Sequence, residues 1–122
     1  MQLRSGIDTI EISRLDDIKP EIKERFIQRV FTEKEVEQAR NRTEVLSGIF
    51  AAKEAVSKAL GTGIGYVNWR DIEIVHLSSG QPTVVLYGNA KAVANKLGLT
   101  SWSVSISHDR NKAIAMAVAL GN

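Results

Sequence analysis

The chain has 122 residues, 43% hydrophobic and 25% charged, with a net charge of +2. That is enough for one domain with a real core, so residues 1–122 are read as a single domain. The lack of Cys excludes disulfides, thiolate metal sites and Cys nucleophiles; with only two His, any metal would be a hard ion on oxygen ligands. The small charge gives no sign of a nucleic-acid binder, and no run nears the roughly 18 apolar residues of a membrane helix. Met1-Gln2-Leu3-Arg4-Ser5 lacks the apolar core of a signal peptide, so a soluble cytoplasmic protein is expected.

Leu3 to Ile7 is predicted as a short strand that runs out at Gly6-Ile7-Asp8. Asp8 is then either a turn or cap residue, or a carboxylate held at a strand end where it can bind a cation. Ser13-Arg14-Leu15-Asp16 opens a short helix, and Pro20 takes the first position of a second one, with Ile22 and Phe26 on one side and Lys23, Arg25 and Arg29 around the rest. Thr32-Glu33-Lys34-Glu35 has the pattern of a capping box, starting a helix through about Arg40, with Val30-Phe31 in place for a hydrophobic staple.

Asn41 and Glu44 repeat the capping-box spacing, so a long helix is expected to start near 41–43 and to stop at Gly61. Val45, Ile49, Ala52, Val56 and Ala59/Leu60 define its core side. Phe50, Glu54 and Lys58 form a second row, four residues apart. On spacing alone Glu54 and Lys58 are an ordinary exposed pair worth about 0.2–0.5 kcal/mol. The glycines of Gly61-Thr62-Gly63-Ile64-Gly65 follow a helix and follow the lysine, so they form neither a Rossmann fingerprint nor a Walker loop. A carboxylate and an ammonium one turn apart can nevertheless hold a metal ion and a phosphate together.

Downstream, Asp71 to Leu77 alternates as a strand, Ser78-Ser79-Gly80-Gln81-Pro82 is a turn, and Thr83 to Tyr87 returns, making a hairpin. His76 is read as a half-exposed strand residue. Asn89 is placed to cap a helix, Ala90 to Leu97, closed by Gly98. Trp102 to Ser107 alternates strictly, His108-Asp109-Arg110-Asn111 is the turn, and Ala113 to Leu120 returns with Ile114, Met116, Val118 and Leu120 on one face and four alanines on the other. An all-Ala face implies close approach of a helix or of another subunit, the helix being the commoner cause. The order of elements gives an α+β fold, an antiparallel sheet packed against the long helix.

Three separated pieces of this chain resemble the holo-acyl-carrier-protein synthase family, the small single-domain phosphopantetheinyl transferases. They are Gly6-Ile7-Asp8 with Glu11 and Arg14, Phe50-Ala51-Ala52-Lys53-Glu54-Ala55 with Lys58, and Ser105-Ile106-Ser107-His108. Phe31-Thr32 with Glu35, Asp71-Ile72-Glu73-Ile74 and Gly80-Gln81-Pro82 extend the likeness over nearly the whole chain. The resemblance implies transfer of 4′-phosphopantetheine from coenzyme A to a serine of apo acyl carrier protein, releasing adenosine 3′,5′-bisphosphate, for fatty acid biosynthesis. It also implies a divalent cation, usually Mg²⁺, and a homotrimer with each active site between two subunits. Neither a nucleic acid nor a membrane is an expected partner. A catalytically inactive module that binds a nucleotide or carrier protein is the alternative.

By the same resemblance, Asp8 and Glu54 hold the metal and Lys58 meets the pyrophosphate. His108 lies near the 3′-phosphate and adenine, and Gly80 and Pro82 contact the adenine. Arg14, Arg25 and Arg29 meet the acidic carrier protein. Gly61 and Thr62 belong to a loop whose backbone amides can approach phosphate. The acceptor of the serine proton is a metal-bound water or Glu54, with Asp8 a further candidate. Two positions depart from the family pattern: Ile49 stands where some members carry Arg, and Gln81 where Lys is common.

Overall fold

A computed structural model describes residues 1–122. Ten-residue strands β1 (Gln2–Glu11), β4 (Leu99–His108) and β5 (Lys112–Gly121) form one antiparallel sheet in the order β1-β5-β4. Strands β2 (Ile72–His76) and β3 (Pro82–Leu86) form a separate antiparallel hairpin, which packs beside β4. Helices α1 (Ser13–Asp16), α2 (Pro20–Val30) and α3 (Glu33–Ala39) lead into the long α4 (Thr43–Leu60); α5 (Gly88–Lys96) joins the hairpin to β4. This is the α+β architecture expected from the order of elements.

Helix α4 lies across one face of the three-stranded sheet, and small residues let it come close. Ala113, Ala115, Ala117 and Ala119 of β5 are buried beneath it, so the alanine face is explained by the helix. At Gly6 a Cβ would land on the Ala55 carbonyl oxygen; at Gly48 one would stand 2.8 Å from Ile106. Ile49, Ala52, Val56, Ala59 and Leu60 are buried as their spacing predicts. The opposite face of the sheet exposes Leu3 and Ile7 of β1 and Ile114, Met116 and Leu120 of β5.

The locally coded boundaries hold. Pro20 occupies the first turn of α2, Thr32 and Glu35 form the reciprocal capping box of α3, and Gly61 ends α4 in the left-handed conformation at φ 83°. Others shift. Helix α3 stops at Ala39, because Arg40 and Asn41 both take positive φ, 50° and 61°. Asn41 therefore does not cap α4, which starts at Thr43 with no side-chain cap. Asn89 does not cap α5 either; its amide donates to the Tyr66 carbonyl, and the helix starts at Gly88. His108 closes β4 instead of opening the turn, and β1 runs past Gly6 to Glu11 because every residue finds a partner on β5.

Candidate active site

Extending β1 changes the setting of Asp8. It sits within the strand, opposite Ala115, on the face covered by α4. Gly6, two residues earlier on that face, gives the helix the room that brings Lys58 within reach. Lys58 Nζ donates to Asp8 Oδ1 at 3.2 Å and to the Ile7 carbonyl at 3.0 Å. The lysine side chain is 50% exposed and the aspartate 19%, so the pair lies at an open edge where screening leaves it little worth as a stabiliser.

Glu54 stands one turn before Lys58, half-buried, on the same row of the helix. Burial pushes its carboxyl pKa above the ordinary glutamate range, and the Asp8 charge adds to this while Lys58 opposes it. The two carboxylates thus repel each other at one edge. The donor set suits a hard cation, because Mg²⁺ takes one or two carboxylates and fills its remaining positions with water and phosphate oxygens. Asp8 and Glu54 can hold such an ion, and Lys58 can meet a phosphate beside it.

The glycine loop is differently employed. Gly61 N–H donates to the Lys58 and Ser57 carbonyls, and the Thr62 and Gly63 amides donate to Ser57. These amides close the carboxyl end of α4 and leave none for a phosphate; the Thr62 hydroxyl donates to the Gly63 carbonyl.

His108 is exposed at the end of β4, the opposite edge of the sheet from β1, with the Asp109 carbonyl 3.4 Å from its ring Nδ1. The Gly80–Pro82 turn belongs to the hairpin beside β4. The structure therefore brings Asp8, Glu54 and Lys58 together on the β1 side, and does not bring His108, Gly80 or Pro82 to them. The arginines lie on the first two helices. Arg14 borders a cavity of about 300 Å³ lined by Ile10, Leu15, Ile18, Ile22, Phe26 and Phe50. Arg25 and Arg29 are exposed one turn apart on α2. Phe26 and Phe50, with ring centroids 5.6 Å apart, tie that helix to α4 one turn before Glu54.

Sequence reasoning missed two features. Lys53 and Glu35 form a wholly buried ion pair at 2.6 Å; burial pulls the lysine pKa down and the carboxylate draws it back up. Local sequence showed Glu35 as a capping residue, and nothing local links it to Lys53 so far along the chain. The second is a cavity of about 930 Å³ whose lining includes Lys34, Arg40, Arg42, His76 and Gly80. The run Arg40-Asn41-Arg42 was its only signal. Ile49, at the position where some members of the family carry Arg, is fully buried in the core.

A small α+β protein with two carboxylates and an ammonium on one open edge is equipped for phosphoryl chemistry assisted by a hard cation. The chain belongs to the 4′-phosphopantetheinyl transferase superfamily, whose family model matches residues 4–118. It is 44% identical to the holo-[acyl-carrier-protein] synthase of Caldanaerobacter subterraneus subsp. tengcongensis, over 99% of this chain and 97% of that one. Its fold is similar to the Helicobacter pylori holo-[acyl-carrier-protein] synthase in complex with coenzyme A, with a TM-score of 0.86 and 33% identity, covering 95% of this chain and 99% of that chain. The Bacillus anthracis synthase in complex with CoA (3′,5′-ADP) matches with a TM-score of 0.78 and 34% identity, over 98% and 96% of the two chains.

Proposed function

We propose that this chain is a holo-[acyl-carrier-protein] synthase: it transfers 4′-phosphopantetheine from coenzyme A to a serine of apo acyl carrier protein and releases adenosine 3′,5′-bisphosphate. The whole chain, 1–122, acts as one transferase domain. The observation that carries this reading is the convergence of Asp8, Glu54 and Lys58 on one edge in a chain that matches such synthases over nearly its full length.

The serine oxygen attacks the β-phosphorus, an oxygen–phosphorus bond forms, and the bridging bond to the adenosine bisphosphate breaks with its electron pair leaving on that product. Lys58 swings from Asp8 onto the pyrophosphate, where its charge offsets the negative charge that builds on the leaving oxygens. Glu54 has the raised proton affinity that suits it to take the serine proton. Asp8 and Glu54 would hold Mg²⁺, which supplies charge neutralisation to the phosphate oxygens when bound. Gly61 and Thr62 border the path of the coenzyme without lending amides to it.

His108, Gly80 and Pro82 bind the adenine end of coenzyme A, and the cations Arg40 and Arg42 near Gly80 make up for the charge that Ile49 and Gln81 do not provide. Because these groups lie on the β4 side, they complete the site of a neighbouring copy. The exposed apolar sheet face around Ile7, Met116 and Leu120 supports a homotrimer in which that face is covered. Arg14, Arg25 and Arg29 dock the acidic carrier protein, with Ile22 at the apolar cavity beside them. No helix is long and apolar enough to cross a membrane, and we place the enzyme in the cytoplasm.

The test is direct. Incubated with apo acyl carrier protein, coenzyme A and Mg²⁺, the protein adds a phosphopantetheine arm, and the carrier gains about 340 Da by mass spectrometry. A carrier of unchanged mass sinks the proposal.

A further inference from the structure

The β2–β3 hairpin is a sheet of its own: β3 packs beside β4, the outer edge of β2 has no strand beside it, and two strands alone are marginally stable. Backbone groups that point outward along this edge need partners, and from the Ile72 amide to the His76 amide each has one. Ile72 N–H donates to the Trp69 carbonyl in the 3₁₀ turn Trp69–Asp71 that precedes the strand. The Ile72 carbonyl accepts from Lys53 Nζ at 2.6 Å. Ile74 N–H donates to Glu35 Oε2 at 2.8 Å, and the Ile74 carbonyl accepts from Gln38 Nε2 at 3.1 Å. His76 N–H donates to Gln38 Oε1 at 2.7 Å. Three side chains, two from α3 and one from α4, stand where a third strand would.

The root of this ladder is dry. Lys53 and Glu35 are 0% exposed, and the ammonium lies 5.9 Å from the centroid of the Phe31 ring. Glu35 Oε1 also accepts the Thr32 amide, so one carboxylate starts α3, holds Lys53 and holds β2. Dehydration cancels much of the attraction in such a pair, so stability alone is a poor account of it. What the pair supplies is direction: ion pair and hydrogen bonds set one register between α3, α4 and the hairpin.

We infer that Lys53, Glu35 and Gln38 are positioning residues for coenzyme A: they hold the Gly80-Gln81-Pro82 turn, at the tip of the hairpin, in fixed relation to α4. Lys53 directly precedes Glu54, so the ladder begins one residue from the metal-holding carboxylate and ends at His76, five residues before Gln81. The inference rests on the reading of that turn as the adenine contact.

Two variants test it. Gln38→Met removes both outer bonds at nearly constant length; Lys53→Met with Glu35→Gln removes the root without leaving a lone buried charge. Each is expected to raise KM for coenzyme A about fivefold to tenfold, the equivalent of one or two hydrogen bonds, with KM for the carrier and kcat within about twofold. Hydrogen exchange should speed up at the His76 amide in Gln38→Met and at the Ile74 amide in the double variant. The buried pair cannot touch a ligand, so a raised KM in the double variant reports positioning. Variants that lower Tm but keep the wild-type KM for coenzyme A overturn the inference, as does unchanged exchange at Ile74 and His76. If the wild-type protein transfers nothing, the proposed activity fails, and the amide exchange alone decides whether the ladder holds the hairpin.

Discussion

Gly6 and Ala55 meet backbone to backbone, with no space for a Cβ between strand β1 and helix α4. This contact sets the distance at which Asp8 and Lys58 face each other, since Asp8 is two residues along the strand and Lys58 three along the helix. Gly6→Ala should push the helix off the sheet. We expect a loss of at least about 2 kcal/mol in denaturant unfolding, the scale of an overpacked core site, together with loss of transfer activity. Wild-type stability in the variant would mean that the helix can move aside at no cost.

Glu54 carries a cost that its proposed role explains. Its folded pKa is raised, first by burial and then by Asp8. A raised carboxylate favours folding only while protonated, so its contribution is lost as pH rises through the folded value. Glu54→Gln removes that cost. In metal-free buffer its Tm should exceed the wild-type Tm at pH 7, and the gap should close as pH falls to about 4, the ordinary carboxylate range. Transfer activity should be lost at the same time, at every Mg²⁺ concentration. Equal Tm profiles for the two proteins would contradict the burial argument.

Lys58→Met separates charge from stability. The ion pair with Asp8 is open to solvent, so unfolding free energy should change by less than about 1 kcal/mol. If Lys58 meets the pyrophosphate as proposed, its loss should lower kcat by about 100-fold or more. Comparable losses in binding alone, with kcat intact, would place Lys58 outside the reacting centre.

Charge reversal on α2, the proposed docking helix, should act on one substrate. Arg25→Glu or Arg29→Glu is expected to raise KM for acyl carrier protein, leave KM for coenzyme A within about twofold, and flatten the salt dependence of the rate. Equal changes for both substrates would argue against docking on α2.

Met116→Lys puts a charge on the exposed apolar face of β5 without touching α4. If that face joins copies, the variant should sediment as a smaller species and lose activity while keeping its helical circular dichroism. An unchanged sedimentation coefficient with full activity would remove this face from the assembly.

Much of the fold was legible because its signals are local. Thr32 with Glu35, Pro20 at a first turn, Gly61 at a helix end and the alternation around Val104 each act within a few residues. Asn41 and Asn89 misled for the same reason: a short polar side chain favours a cap, but Asn41 takes a left-handed turn and Asn89 bonds Tyr66 in a distant loop. The strand around Asp8 was underestimated because Gly6 and Asp8 are poor strand formers, and pairing with β5 overrides that preference.

The candidate site divides along the same line. By itself the sequence determined which chemistry is possible: carboxylates and amines without thiols, a Glu54–Lys58 row on one helix face, and a glycine stop after it. Helical periodicity and residue chemistry are properties of a short stretch of chain. Tertiary structure alone decided that Asp8 faces Lys58 across a glycine contact, that the loop amides are spent on the helix end, and that Lys53 turns inward to Glu35 and β2. Those relationships join residues far apart in sequence, and they exist only once burial and backbone hydrogen bonding have chosen which faces meet.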